Sequence, residues 1–167
     1  MRATAVFIVT LFCLQAGLGF VAAMTPDTIT IDGDVTEWSS DSEMALDDNA
    51  VTYYSTWDDD NFYLAWTGTD WADSLSGADL FVYFNTSEGG SVLSKDWGFA
   101  HTLPFSADYG FALEDSTYNQ KFAFDGTAWQ DQGPLPESDI YVGWADNTVI
   151  EMAIPWSAIG SPTSLQF

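Results

Sequence analysis

The chain has 167 residues, enough for one domain with a real core, and its 47% hydrophobic and 16% aromatic content excludes a disordered polymer. Against 25 acidic residues stand three Lys and Arg, a formal net charge of −22. A surface of that sign repels nucleic acid and anionic lipid, both of which need cationic side chains to neutralise phosphate, and it suits a saline medium in which salt screens self-repulsion.

Residues 1–23 read as an export signal. Arg2 begins it, an apolar run from Ala5 to Phe20 fills it, and Val21-Ala22-Ala23 offers small residues for cleavage. A membrane anchor is the other reading of this stretch, but Gln15 and the small-residue end favour cleavage. Residues 24–167 then form a single domain. Cys13, the one cysteine, leaves with the leader, so the mature chain has neither disulfide nor thiolate ligand.

From Thr28 onward apolar and polar residues alternate with period two, the mark of half-buried strands. "TITID" (28–32) predicts a short opening strand. "DGDVTEWSSDSE" follows, an acidic stretch whose Asp32, Asp34, Thr36 and Glu43 copy EF-hand spacing by coincidence, since Glu37 stands where that loop needs Gly. "VTYYSTW" (51–57) and "FYLAWTG" (62–68) predict hairpin arms around Asp58, Asp59 and Asp60. In the second arm Phe62, Leu64 and Trp66 share one face, and Tyr63, Ala65 and Thr67 the other. "DLFVYFN" (79–85) is apolar on both faces, as a central strand would be.

"YGFALE" (109–114) and "QKFAFDGTAWQ" (120–130) come next, the latter with a two-residue hairpin signal at Asp125-Gly126. "IYVGWADNTVIEMAIPW" (140–156) predicts a hairpin turning at Asp146-Asn147, with Ile150, Met152 and Ile154 on one face. "PWSAIG" (155–160) predicts one short helical turn, opened by Pro155 and closed by Gly160. No segment carries a sustained helical stripe. Eight or so short strands spaced by Gly, Asp, Asn and Pro turns predict an all-β fold, an antiparallel β-sandwich. "SPTSLQF" (161–167) reads as the start of another strand, so the sandwich is expected to lack its final strand and to leave a neighbouring edge unpaired.

Four segments, "ITIDGDVTEW" (29–38), "STWDDDNFYLAWTGTD" (55–70), "ADLFVYFNTSEGG" (78–90) and "IEMAIPWSAIG" (150–160), together resemble the family 9 carbohydrate-binding modules and their DOMON-like relatives, in which comparable segments occur in this order. The resemblance spans about 130 residues. It implies a secreted or cell-surface β-sandwich without catalytic activity that binds sugars, often with structural calcium, attached to a catalytic or surface-anchoring module. Some DOMON-like relatives bind haem through Met with His or Lys; here Met44, Met152, His101, Lys95 and Lys121 are the pool, with no spacing that supports a pair.

Three candidate sites follow. Trp71, Trp97 and Trp129 lie in or beside polar, loop-like stretches, where flat rings can stack on pyranose faces while nearby Asp, Asn and Gln bind hydroxyls. Ordinary packing under loops is the competing reading for each. Trp38 and Trp156 are expected in the framework. Asp32, Asp34, Asp58 and Asp60 are the candidate calcium ligands, although the Asp run is first of all a hairpin turn. His101, the one histidine, is too little for a zinc site or a catalytic triad, and among 25 acids some pair will approach glycosidase spacing by chance, so no catalytic residue is assigned. Asn85-Thr86-Ser87 is a glycosylation sequon. A structural or adhesive surface domain is the rival reading, and a haem-binding electron carrier a third.

Overall fold

The computed structural model describes residues 26–38, 44–48, 51–68, 80–97, 100–114, 117–143 and 148–167. The leader and Asp146-Asn147 lie outside them. Eleven strands occur there: β1 (Met44–Asp48), β2 (Val51–Trp57), β3 (Asn61–Gly68), β4 (Leu80–Phe84), β5 (Ser91–Leu93), β6 (Thr102–Ala107), β7 (Tyr109–Leu113), β8 (Asn119–Phe124), β9 (Trp129–Asp131), β10 (Ile140–Val142) and β11 (Thr148–Pro155). Every pairing is antiparallel. Sheet A runs β1-β2-β3-β11-β10 and sheet B runs β4-β7-β8-β9, while β5 and β6 form a separate ribbon. The architecture is all-β, an antiparallel β-sandwich.

Alternation explains the layers. Phe62, Leu64 and Trp66 of β3 and Ile150, Met152 and Ile154 of β11 point inward from sheet A. They meet Val82 and Phe84 of β4 and Phe111 and Leu113 of β7 in one apolar core. Phe84 contacts Phe62 and Phe111 edge-on, the arrangement the ring quadrupole favours. The opposite faces are also covered. Tyr63, Ala65 and Ala153 on the back of sheet A pack with Ile29 and Trp38, so the segment 26–38 forms an outer layer there.

That segment is not the expected opening strand. It has no strand pairing over 28–32, because its backbone is held by carboxylates instead of a ladder. Glu37 Oε1 accepts Thr30 N–H (2.7 Å), and Glu151 Oε2 accepts Asp32 N–H (3.1 Å) and Gly33 N–H (2.7 Å). Glu151 is fully buried, and its Oε1 takes the Trp38 indole N–H at 2.8 Å. Gly33 has φ +87, and a Cβ there would lie 2.4 Å from the Tyr141 ring, so only glycine fits beneath that tyrosine.

Two more expectations change. The stretch 79–85 supplies β4, an edge strand of sheet B rather than a central one. It is apolar on both faces because the core covers one, while residues 95–97 of the connection between β5 and β6, with Trp129, pack on the other. The Asp125-Gly126 hairpin turns through four residues: Phe124 pairs with Trp129, and Asp125 Oδ1 accepts the N–H of both Thr127 and Ala128. Strands β1, β5 and β6 had no clear sequence signal, being short, polar or interrupted by Pro104.

The β2–β3 hairpin and the inward face of β11 are as read, and the turn at Trp156–Ile159 begins after Pro155 and ends on left-handed Gly160. Near Phe167 the chain makes a bridge between Asn85 and Gln166, and the Phe167 ring packs on Phe62 and Phe84.

Candidate functional site

The outer face of sheet B carries the site. Register places Tyr83 opposite Gly110 and Gly110 opposite Phe122, so these share the face turned away from the core, together with Phe124 and Trp129. Gly110 is required by close approach: a Cβ there would stand 2.9 Å from Tyr83 Cε1. With no side chain at 110 the Tyr83 ring lies down across β7. Its hydroxyl donates to Asp96 Oδ1 (2.8 Å) and lies 2.9 Å from the Lys95 carbonyl. Burial, and then the bond to Asp96, push the Tyr83 phenol well above its usual range, so it is a neutral donor at any ordinary pH.

The ribbon is tied across this face at both ends. The Trp129 indole N–H donates to the Leu93 carbonyl (2.9 Å), joining β9 to β5. Asp108, buried between β6 and β7, accepts the N–H of Thr86 (2.8 Å) and of Ser87 (2.9 Å) and so holds the turn after β4 that leads to the ribbon. Ser94 and Asp96 complete the link. Ser94 Oγ donates to Asp96 Oδ2 (2.9 Å) and accepts the His101 backbone N–H (2.7 Å). The exposed His101 ring reaches Asp96 Oδ2 at 3.3 Å.

Between ribbon and sheet lies an open groove of about 560 Å³, bordered by Leu93, Lys95, Trp97, Phe124, Thr127 and Trp129. Thus two of the three candidate platform tryptophans are brought to one groove, and both are half-buried. Each is held by its neighbours. Trp129 stands edge-on to Tyr83 and Phe124, and Trp97 contacts Phe81 and Tyr118. One edge of each ring is thus packed against neighbouring rings while the ring borders the groove. Trp71 and Trp144 lie outside the described residues. Trp38 is buried and Trp156 packs on the core, as expected of framework positions.

The four candidate metal-ligand aspartates lie in two separate turns. Asp58 Oδ1 accepts the N–H of Asp60 (2.8 Å) and Asn61 (2.7 Å), and its Oδ2 accepts the hydroxyls of Tyr63 (2.7 Å) and Thr28 (2.9 Å). Burial pushes the Asp58 carboxyl up, but these four donors outweigh it and hold it below the ordinary value. Burial, and then the same contact, push the Tyr63 phenol up to about 12. Asp32 Oδ1 accepts Asp34 N–H (2.9 Å), and Asp34 Oδ1 accepts Thr36 N–H (2.9 Å) to cap the short turn at Val35–Glu37. Among the described residues no group of three or more His, Cys, Asp or Glu is placed to hold a metal ion.

Of the haem-ligand pool, Met152 lies between the sheets, whereas His101 and Lys95 lie beyond sheet B. The Met44 side chain is outside the described residues.

Sequence reading passed over Gly110, Asp96 and Asp108. Gly110 did carry a signal, since a glycine inside a strand pattern marks a close backbone approach. Asp96 and Asp108 were two acids among many.

No family model, curated protein or solved structure matches this chain. The family resemblance therefore stands on the quoted segments alone.

Proposed function

We propose that this chain is a non-catalytic carbohydrate-binding module, exported from the cell, that takes a poly- or oligosaccharide into the groove on the outer face of sheet B. The observation that carries this reading is the placement of Trp97 and Trp129 on one groove, in rings fixed by edge contacts. Fixed rings lose little entropy when a pyranose stacks on them. The strongly acidic surface keeps nucleic acid away and leaves a neutral or locally complementary ligand. Calcium belongs to this proposal as a stabiliser only if it competes with the hydrogen bonds already made by Asp58, Asp32 and Asp34.

The test is affinity electrophoresis and calorimetry against xylan, cellulose, β-glucans, pectic polysaccharide and their soluble oligosaccharides. Binding to at least one, weakened about tenfold or more by Trp97→Ala, is the expected result. Absence of affinity for all of them removes the proposal.

One observation favours a protein-contact domain as the second reading. Val92, Leu93 and Tyr118 are more than half exposed. Self-association that is abolished by Val92→Ser with Leu93→Ser, without sugar binding, would establish it.

A further inference from the structure

The groove is bordered by a cation that makes no ion pair among the described residues. The chain holds 25 acids and three Lys and Arg, so pairing is the expectation for each cation. Lys95 borders the groove, yet among the described residues its ammonium makes no ion pair and lies 5.4 Å from the centre of the buried Phe122 ring.

Apart from the exposed Thr127 hydroxyl, the other polar side chains on the groove lining are already engaged within the protein. The Ser91 hydroxyl donates to the Leu93 carbonyl (2.8 Å) and accepts the Leu93 N–H (3.0 Å). The Ser94 hydroxyl, both Asp96 oxygens and the Trp129 indole N–H are committed as described above. Among the described residues, what remains to meet a ligand is two tryptophan rings, the exposed Thr127 hydroxyl and one ammonium group, the one cation among them. Asp96, the one acid on the lining among the described residues, faces three donors of its own: Tyr83, Ser94 and His101.

We infer that the groove selects a pyranose bearing an anionic substituent, a carboxylate or a sulfate ester, whose charge is met by Lys95 while the ring stacks on tryptophan. This rests on the carbohydrate reading of the groove and names the ligand class within it. The substituent supplies the acceptor that the ammonium lacks, and a charge-assisted hydrogen bond in a groove walled by Trp97, Phe124 and Trp129 is stronger than one in open water. The net charge of −22 opposes the approach of any polyanion, so the site takes short acidic stretches and works best where salt screens the long-range field while the contact pair persists.

The experiment uses the full chain at about 0.5 M sodium chloride, where the Debye length is roughly 4 Å. Calorimetry compares an oligogalacturonate, the same oligosaccharide after carboxyl reduction, and a sulfated galactan oligosaccharide. The acidic ligand is expected to bind about tenfold or more tightly than its reduced counterpart. That preference is expected to vanish in Lys95→Met and to survive in Lys95→Arg. Preference for the uronate over the sulfate, or the reverse, identifies the source of the charge and supports the inference. Equal or tighter binding of the reduced oligosaccharide overturns it and leaves the carbohydrate reading standing, a comparison that needs no variant to fold. Binding of none of these ligands, or of any polysaccharide in the wider panel, overturns both.

Discussion

The Trp38 indole N–H donates to Glu151 Oε1 at 2.8 Å across 113 positions of sequence, and the other oxygen of the same carboxylate accepts two backbone N–H groups, those of Asp32 and Gly33. One buried side chain thus fastens the segment 26–38 to the back of sheet A. It also gives a physical reason why "ITIDGDVTEW" and "IEMAIPW" occur together: the first supplies three donors and the second the acceptor that satisfies them.

Glu151→Gln is expected to cost about 2–3 kcal/mol, because the amide turns a donor toward either the indole or the backbone N–H groups and leaves buried donors unmet. Trp38→Phe removes one of the three donors and is expected to cost less. Urea unfolding of both single variants and the double variant measures this, and additive effects would show that the two side chains do not act together.

Gly110→Ala is expected to damage the groove while sparing the core. The added methyl meets the Tyr83 ring, which must lift and release Asp96 and the ribbon. Stability falls by about 1–3 kcal/mol, and tryptophan fluorescence shifts to the red as Trp97 and Trp129 gain water. An unchanged emission maximum would contradict this account of Tyr83.

The Asp58 carboxyl is held below its unfolded-state value, so its stabilisation is present above the ordinary carboxylate pKa and is lost as pH falls through the folded one. The chain is therefore expected to lose stability below about pH 4 more steeply than Asp58→Asn, which loses its charge-assisted bonds at every pH. Thermal melts between about pH 2 and 7 compare them, and parallel curves would exclude Asp58 as a contributor.

Among the described residues, Ser55 Oγ and Thr56 Oγ1 are buried without a hydrogen-bond partner. Ser55→Ala and Thr56→Val, which replace an unmet hydroxyl by hydrogen or methyl, are expected to leave stability unchanged or to raise it by about 1 kcal/mol. A loss of more than about 1 kcal/mol in either would mean that the hydroxyl has an unseen partner.

Because like charge accumulates over the whole surface, added sodium chloride is expected to raise the melting temperature. Calcium at matched ionic strength is expected to add nothing further, since Asp58 already meets four donors and Asp32 and Asp34 cap their own turns. A calcium-specific rise would instead return Asp32, Asp34, Asp58 and Asp60 to the role of cation ligands.

Some of this was open to reading along the chain. Period-two alternation set the inward faces of β3 and β11, and the Asp-rich turn and the Pro155 and Gly160 boundaries are local backbone effects that short segments decide by themselves. Composition marked the chain as acidic and cysteine-poor, and alternation marked it as all-β. What alternation could not say is which covered face belongs to the core. Strand β4 reads the same whether a second sheet or a ribbon lies on it, because burial depends only on water being excluded, not on what excludes it. The pairing of Glu151 with the distant 32–38 segment, the fit of Tyr83 over Gly110 and the meeting of Trp97 with Trp129 at one groove all join residues far apart in sequence. Contacts of that kind are decided by how the layers stack, and only the tertiary structure holds that information.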